Sequence, residues 1–298
     1  MSLDLQKLST ETRNRDTMNL DTMSALELVT VMNRQDQLVP QAVAQALPAI
    51  AQAAEYAAQA LQSGGRLIYM GAGTSGRLGV LDAVECPPTF GVSPDRVVGL
   101  IAGGEKAFVK AVEGAEDSEA LGREDLENLK LSKLDFVVGI AASGRTPYVL
   151  GGLAYAKELG CHTAAIACNR ESKVGKAAEL AIEVVPGPEV LTGSTRLKSG
   201  TCQKMVLNMI STAAMVRSGK AYENLMVDVM QTNEKLRVRA QNMVMEATGV
   251  DRNQAADTLT LADGSAKTAI TMILADCSRE EAEKRLEKAG GHVREAIR

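Results

Sequence analysis

Short apolar runs, LIYM, VVGLI, FVVGIAA, TAAIAC and, broken by one glutamate, AIEVV, recur through the middle of the chain, and longer stretches between them return to an apolar residue every three or four positions. Runs this short and this rich in β-branched residues are strands, and strands with no polar alternation are buried on both faces, as in a parallel sheet. The pattern predicts strands over 66–70, 97–102, 135–141, 163–168 and 181–185. Helical spacing predicts helices over 75–85, near 105–113, over 118–129, 147–159 and 196–218. This is a doubly wound α/β fold with a parallel sheet. Ahead of the first strand, 24–34 and 39–62 read as helices, the second Ala-rich and stopped by Ser63, Gly64 and Gly65. Beyond Gly219 no strand pattern returns. The segment YENLMVDVMQTNEKLRVRAQNMVMEATG reads as one long helix, followed by short helices near 251–260, 264–275 and 278–288 with cap signals at Asp251 and at Ser278 with Glu281. The expected division is therefore an α/β domain over 1–239 and a small helical region over 240–298.

Ligands of such sheets bind outside the carboxyl ends of the strands, near the point where strand order reverses. The loop after the first strand is GAGTSG, in which Gly71, Gly73 and Gly76 let the backbone approach a ligand while the unpaired amides of the following helix point at it. Such a turn is an anion site. It also matches the dinucleotide fingerprint G-x-G-x-x-G, but that site wants an acid about 20 residues on to hold a ribose. Here the first acid after the second strand is Glu105, about 30 residues after the turn. The adjacent hydroxyls of Thr74 and Ser75 suit a compact phosphomonoester better. A glycine turn without a ligand remains the third reading. The loop after the third strand, AASGRTPYV, repeats the theme with Ser143, Thr146 and a helix-starting Pro147, although plain helix capping also explains such hydroxyls.

The chain has 298 residues and is 45% hydrophobic, enough for one large core and an appendage. Net charge is −4 with no basic block, so the expected partner is a small molecule and not a nucleic acid, and the mixed run REEAEKRLEKAGGHVRE reads as a solvated face. No apolar run reaches about 18 residues and the first residues lack a signal-peptide pattern, so a cytoplasmic protein with no membrane contact is expected. Five scattered cysteines read as reduced packing thiols with no metal site. His162 and His292 have no nucleophile or second ligand beside them, which leaves acid-base chemistry to carboxylates. Glu85, Glu105, Glu113, Glu116 and Glu189 fall near the strand-end side. Glu85 precedes Cys-Pro-Pro, which should end its helix there and set the acid against the macrodipole, the setting of a proton donor. Glu116 lies in GAEDS on a loop edge. A donor acid with an ionised base is what general acid-base work on a sugar needs.

The segments GAGTSGRLGVLDAVECPPTFG, IAGGEKAFVKAVEGAEDS, GIAASGRTPYV and LTGSTRLKSGTCQKMVLNM together resemble the signature segments of the N-acetylmuramic acid 6-phosphate etherases, members of the sugar isomerase domain superfamily. The resemblance extends over nearly the whole chain, including NLMVDVMQTNEKL and the helical tail. It implies a lyase without cofactor or metal that opens the sugar ring, removes the proton on carbon 2, expels D-lactate from carbon 3 and adds water, giving N-acetylglucosamine 6-phosphate. It implies Glu85 as proton donor and Glu116 as base. The strand-end reading places Gly73, Thr74, Ser75, Ser143 and Thr146 around the phosphoryl group, with Ser194 and Lys198 as further candidate substrate contacts. Arg77, Arg145 and Arg196 are further candidates to grip an anionic group. In an unbroken helix Glu85 stands about 16 Å from Thr74 at about 1.5 Å per residue, longer than a hexose phosphate. The expectation is a homodimer whose site combines the phosphate loop of one chain with Glu85 of the other, joined through helices 39–62 and 200–218. A phosphosugar isomerase and a non-catalytic phosphosugar-sensing regulator would use the same loops.

Overall fold

The computed structural model describes residues 8–110, 112–229 and 234–298. Two 3-10 turns, Arg15–Thr17 and Leu20–Thr22, precede α1 (Ala25–Asp36), α2 (Leu38–Gln45) and α3 (Leu47–Gln62). A capping box starts α1: Ser24 Oγ accepts from Glu27 N, and the Glu27 carboxylate accepts from Ser24 N at 2.8 Å. The single helix predicted over 39–62 is broken at Ala46, which adopts φ −100° and ψ 0°. Pro48, in the first turn of α3, has no N–H for the preceding turn and its ring would strike that turn's carbonyl.

The α/β body follows as β1 (Leu67–Gly71), α4 (Gly73–Phe90), β2 (Val97–Ile101), α5 (Glu105–Val109), α6 (Glu119–Asn128), β3 (Phe136–Ala141), α7 (Pro147–Glu158), β4 (His162–Ala167), α8 (Lys173–Ala177), β5 (Leu180–Glu183) and α9 (Lys198–Arg217). All pairings are parallel, in the order β2-β1-β3-β4-β5. This is the doubly wound sheet that the apolar runs predict, and its strand order reverses between β1 and β3, where Gly71 pairs with Ile140. Every residue of β1 and β3 is buried, with Ile68, Met70 and Val137 packing against Val149 and Leu153 of α7. At the amino ends of these strands Asp135 accepts from Arg66 N at 2.8 Å, Arg66 Nη2 at 2.7 Å and Ser132 N at 2.8 Å. Burial alone would push the Asp135 carboxyl up, but the Arg66 and Ser132 donors overcome it and hold the group below the usual carboxylate range.

The helical part comprises α10 (Glu234–Thr248), α11 (Arg252–Leu261), α12 (Ala266–Leu274), α13 (Arg279–Lys288) and α14 (Val293–Ala296). Side chains of Asp251, Ser265 and Ser278 cap α11, α12 and α13. The long helix predicted from Tyr222 does not form over 221–229. Tyr222 and Leu225 instead exchange hydrogen bonds across a tight turn, and Asp228 accepts from Lys267 Nζ at 2.6 Å, which lets Tyr222, Val227 and Val229 enter the core of the helices. Residues 230–233, part of the predicted helix, lie outside the described residues.

Two compact units result, one running through Val84 together with Asp95–Ser211, the other Glu85–Pro94 with Thr212–Arg298. Tyr222, Val227 and Val229 belong to the core of the second of these units. One correction concerns α4, which does not stop at Glu85 but continues through Pro87 and Pro88 to Phe90. The two prolines withhold donors only from the preceding turn, and one more turn closes with Gly91 N donating to Pro87 O at 3.0 Å. Among the described residues no helix is long and apolar enough to cross a membrane.

Candidate active site

The start of α4 sits directly on the end of β1. A side chain at Gly76 would place its Cβ 2.6 Å from Gly71 O and 2.8 Å from Ile101 Cγ1, so only glycine allows this seating. Gly73 is exposed, Thr74 half-buried and Ser75 buried, all within the first turn, where helix amides lack carbonyl partners. At the neighbouring strand end, Gly144 takes φ +73° while its Cβ position lies 2.4 Å from Ser172 Cβ. Thr146 is the N-cap of α7 and Pro147 its first residue, yet the Thr146 side chain makes no capping hydrogen bond. Capping therefore does not account for that hydroxyl. Ser143 is half-buried in the same loop, and its carbonyl accepts from Asn169 Nδ2 at 3.3 Å. Asn169 also donates to Ala142 O at 3.2 Å and to Thr10 Oγ1 at 3.1 Å, so the segment around Thr10 is tied to this strand end.

A cavity of about 280 Å³ opens beside the start of α4, lined by Gly73, Arg77, Glu113, Gly114 and Glu116 among others. Glu116 is exposed in the 3-10 turn Ala115–Asp117, anchored below by buried Ala115. Arg77 points its guanidinium at the end of α5, donating from Nε to Phe108 O at 2.7 Å and from Nη2 to Ala107 O at 2.9 Å. It thereby tethers the chain that forms the far wall. The sequence does not forecast this use of Arg77.

The third component is the start of α9, against which α4 packs: a Cβ at Gly200 would lie 3.6 Å from Thr74 Cγ2. Glu189, wholly buried, accepts from Lys198 N and Ser199 N at 2.9 Å each, a charged cap on the helix start. That explains Glu189 structurally. Lys198 is 1% exposed, and its ammonium donates to Gln35 Oε1 at 2.9 Å and Pro186 O at 3.1 Å. Burial lowers its pKa against the supporting charge of Glu189. Ser194 is half-buried in the turn before α9, Arg196 is exposed and Arg145 half-buried. Ser75 Oγ donates to Gln203 Oε1 of α9 at 3.1 Å. Asn169 and Thr10 lie outside the quoted segments and Gln203 inside one with no role attached to it; only long-range packing brings the three to the strand ends.

Gly73 and Glu116 thus meet in one cavity, Thr74 and Ser75 face α9, and Ser143 and Thr146 occupy the adjoining strand end. Glu85 is exposed and groups with the second unit. His162 stacks on Tyr56 with ring centroids 4.2 Å apart and binds Glu179 at 2.8 Å, a surface packing role.

Comparison with known proteins follows this geometry. Residues 49–157 match the glucokinase regulatory protein N-terminal SIS domain model, and residues 110–213 match the SIS domain model. A phosphoheptose isomerase from Neisseria gonorrhoeae superposes with a TM-score of 0.50 at 17% identity, covering 64% of this chain and 98% of that one, a likeness of fold. Among curated relatives, an N-acetylmuramic acid 6-phosphate etherase from Exiguobacterium sp. is 62% identical over 98% of this chain and 100% of its own length. One from Pectobacterium atrosepticum is 58% identical over 99% of this chain and 98% of its own. With identity of this order sustained from end to end, the chain belongs to the N-acetylmuramic acid 6-phosphate etherase family.

Proposed function

We infer that this protein is a carbon-oxygen lyase that cleaves the D-lactyl ether of N-acetylmuramic acid 6-phosphate, yielding N-acetylglucosamine 6-phosphate and D-lactate. The observation that carries the reading is the cavity joining the start of α4 to Glu116, in a chain 62% identical to an etherase of that name. The phosphoryl group is assigned to the α4 start and the hydroxyls of Thr74, Ser75, Ser143 and Thr146, where unpaired helix amides favour an anion. Glu116 is assigned as the base that takes the proton from carbon 2 of the open-chain aldehyde, where the carbonyl acidifies it. Electrons move into the carbon 2–carbon 3 bond as the carbon 3–oxygen bond breaks, Glu85 protonates the departing lactate oxygen, and water adds to carbon 3 of the unsaturated aldehyde. Ser194 is assigned a supporting substrate contact; Lys198, whose ammonium is held by Gln35 and Pro186, is assigned to the wall of the site.

The reading extends to a cytoplasmic homodimer with a shared site. Exposed Glu85 and the exposed apolar Leu26 and Val29 of α1 support a second chain. Glu116→Gln should lower lactate release about 10²- to 10⁴-fold and abolish deuterium exchange at carbon 2, while Glu85→Gln should keep exchange and lose lactate. Retained lactate release in both variants would overturn the assignment. Mixing the two variants tests sharing: random reassociation restores about a quarter of wild-type activity if each site draws Glu116 and Glu85 from different chains, and none if it does not.

A further inference from the structure

The loop after β3 is held from the β4 side. Asn169, buried just beyond the end of β4, donates from Nδ2 to Ala142 O at 3.2 Å, to Ser143 O at 3.3 Å and to Thr10 Oγ1 at 3.1 Å. Two protons serve three acceptors, so at least one is shared. Cys168 N donates to the same Ala142 carbonyl at 2.9 Å. Carbonyl oxygens only accept, so the N–H₂ end of the Asn169 amide must face them, and its Oδ1 end accepts from Ser9 Oγ at 2.9 Å. Ser9 Oγ also stands 3.2 Å from Cys168 O, and Thr10 is buried. Ser9 and Thr10 therefore back the amide from both of its ends.

The direction of these carbonyls decides where the next amide faces, because in a trans peptide, as here, the N–H points opposite to the C=O. In the sheet β3 lies between β1 and β4. The Ala142 carbonyl is drawn toward β4, so the Ser143 N–H is turned to the β1 side, where the GAGTSG turn starts and strand order reverses. Gly144 N is spent on Ala141 O at 2.9 Å, whereas among the described residues no acceptor takes the Ser143 N–H. We propose that Asn169, backed by Ser9 and Thr10, is the positioning residue that fixes the peptide between Ala142 and Ser143, so that the Ser143 N–H donates to the substrate's phosphoryl group across the crevice between β1 and β3. The proposal rests on the reading of that crevice as the phosphoryl site. It adds a backbone donor to the hydroxyls assigned there, and it makes the segment ahead of α1 part of how the site is built.

The test compares wild type with Asn169→Asp, Thr10→Val, Thr10→Ser and Ser75→Ala. Inorganic phosphate is titrated by calorimetry and by ¹⁵N-resolved NMR of the Ser143 amide, and KM and kcat are taken from lactate release. In wild type the Ser143 amide proton should move downfield as phosphate binds. Asn169→Asp keeps the outline of the side chain but sets a group that only accepts against two carbonyls, which frees the peptide to turn. It should abolish the Ser143 shift, weaken phosphate binding and raise KM about tenfold, the loss of one hydrogen bond to a charged group, and hold kcat within about twofold. Thr10→Val removes one hydroxyl at constant shape, should weaken binding about threefold, and covers the case in which Asn169→Asp fails to fold; Thr10→Ser, which keeps the hydroxyl, should recover most of that loss. Calorimetry also separates misfolding from misplacement, since an unfolded fraction lowers the number of sites and a turned amide lowers the affinity. A Ser143 amide that phosphate leaves in place in wild type, or wild-type phosphate affinity in Asn169→Asp or Thr10→Val, would overturn the positioning role, and weakened binding in Ser75→Ala would then show that the phosphoryl site itself survives. A wild-type protein that shows the Ser143 shift and this order of affinities but releases no lactate keeps the positioning role and loses the etherase.

Discussion

Replacing Glu189 with Gln isolates the contact that sets the start of α9. Both carboxylate oxygens accept backbone amides, Lys198 N and Ser199 N, at 2.9 Å, and the residue is wholly buried. Glutamine offers one acceptor and turns an N–H₂ toward the second amide, so one buried donor is left unpaired at a cost of about 1–3 kcal/mol. Removing a negative charge from a helix N-terminus costs up to about 2 kcal/mol more in a buried setting. Lys198, whose ammonium burial already disfavours, loses the Glu189 charge that supports it. The expected loss is therefore about 1–5 kcal/mol. Urea unfolding followed by far-ultraviolet circular dichroism measures it as a lowered midpoint at unchanged slope. Gly200 in the same first turn stands against Thr74, so phosphate affinity should fall with it. A variant within about 0.5 kcal/mol of wild type would refute the capping argument, because a surface-like substitution has that size.

Three further outcomes follow from the packing. Asp135 is held below its ordinary pKa, so its contribution is complete above about pH 4 and lost as pH falls through its folded value; Asp135→Asn should cost about 3 kcal/mol at pH 7 and flatten the acid side of the stability profile measured by urea unfolding from pH 7 to 2.5. Gly76→Ala forces a Cβ to 2.6 Å from Gly71 O, a backbone atom that cannot swing away, and should lower stability by about 1–3 kcal/mol and raise KM together. Burial lifts the thiols of Cys161 to about 11 and Cys202 to about 12, so a disulfide reagent at pH 8 should label half-buried Cys277 ahead of every other cysteine in the native protein, as peptide mapping would show.

The sheet was legible because both-face burial leaves short apolar runs: FVVGIAA can be a central strand or a buried helix turn, and its length decides. The helices of the tail were legible through their caps, Asp251 and Ser278. Proline misled at Cys86-Pro87-Pro88, where local rules stop a helix but the chain has room for one more turn, and so Glu85 is not at a helix end. It was underweighted at Pro48, where the apolar periodicity of α2 and α3 runs on through the break. Over 221–229 helical spacing was present, but the pull of Lys267 and Lys220 on Asp228 and the burial of Tyr222 and Val227 outweigh propensity. The glycine turns themselves were legible, since the close approach at Gly76 and the positive φ at Gly144 are backbone demands that appear in the sequence. Gln203, Asn169 and Thr10 reach the same region through contacts more than 100 residues apart along the chain, which no local pattern encodes.

Elimination and hydrolysis differ most directly in which bond to the ether oxygen breaks. Incubating the protein with N-acetylmuramic acid 6-phosphate in ¹⁸O-labelled water and weighing both products by mass spectrometry reads this out. Elimination followed by water addition places the label on the carbon 3 hydroxyl of N-acetylglucosamine 6-phosphate and leaves D-lactate with its original ether oxygen. Label in the lactate, or no lactate at all, would contradict the account.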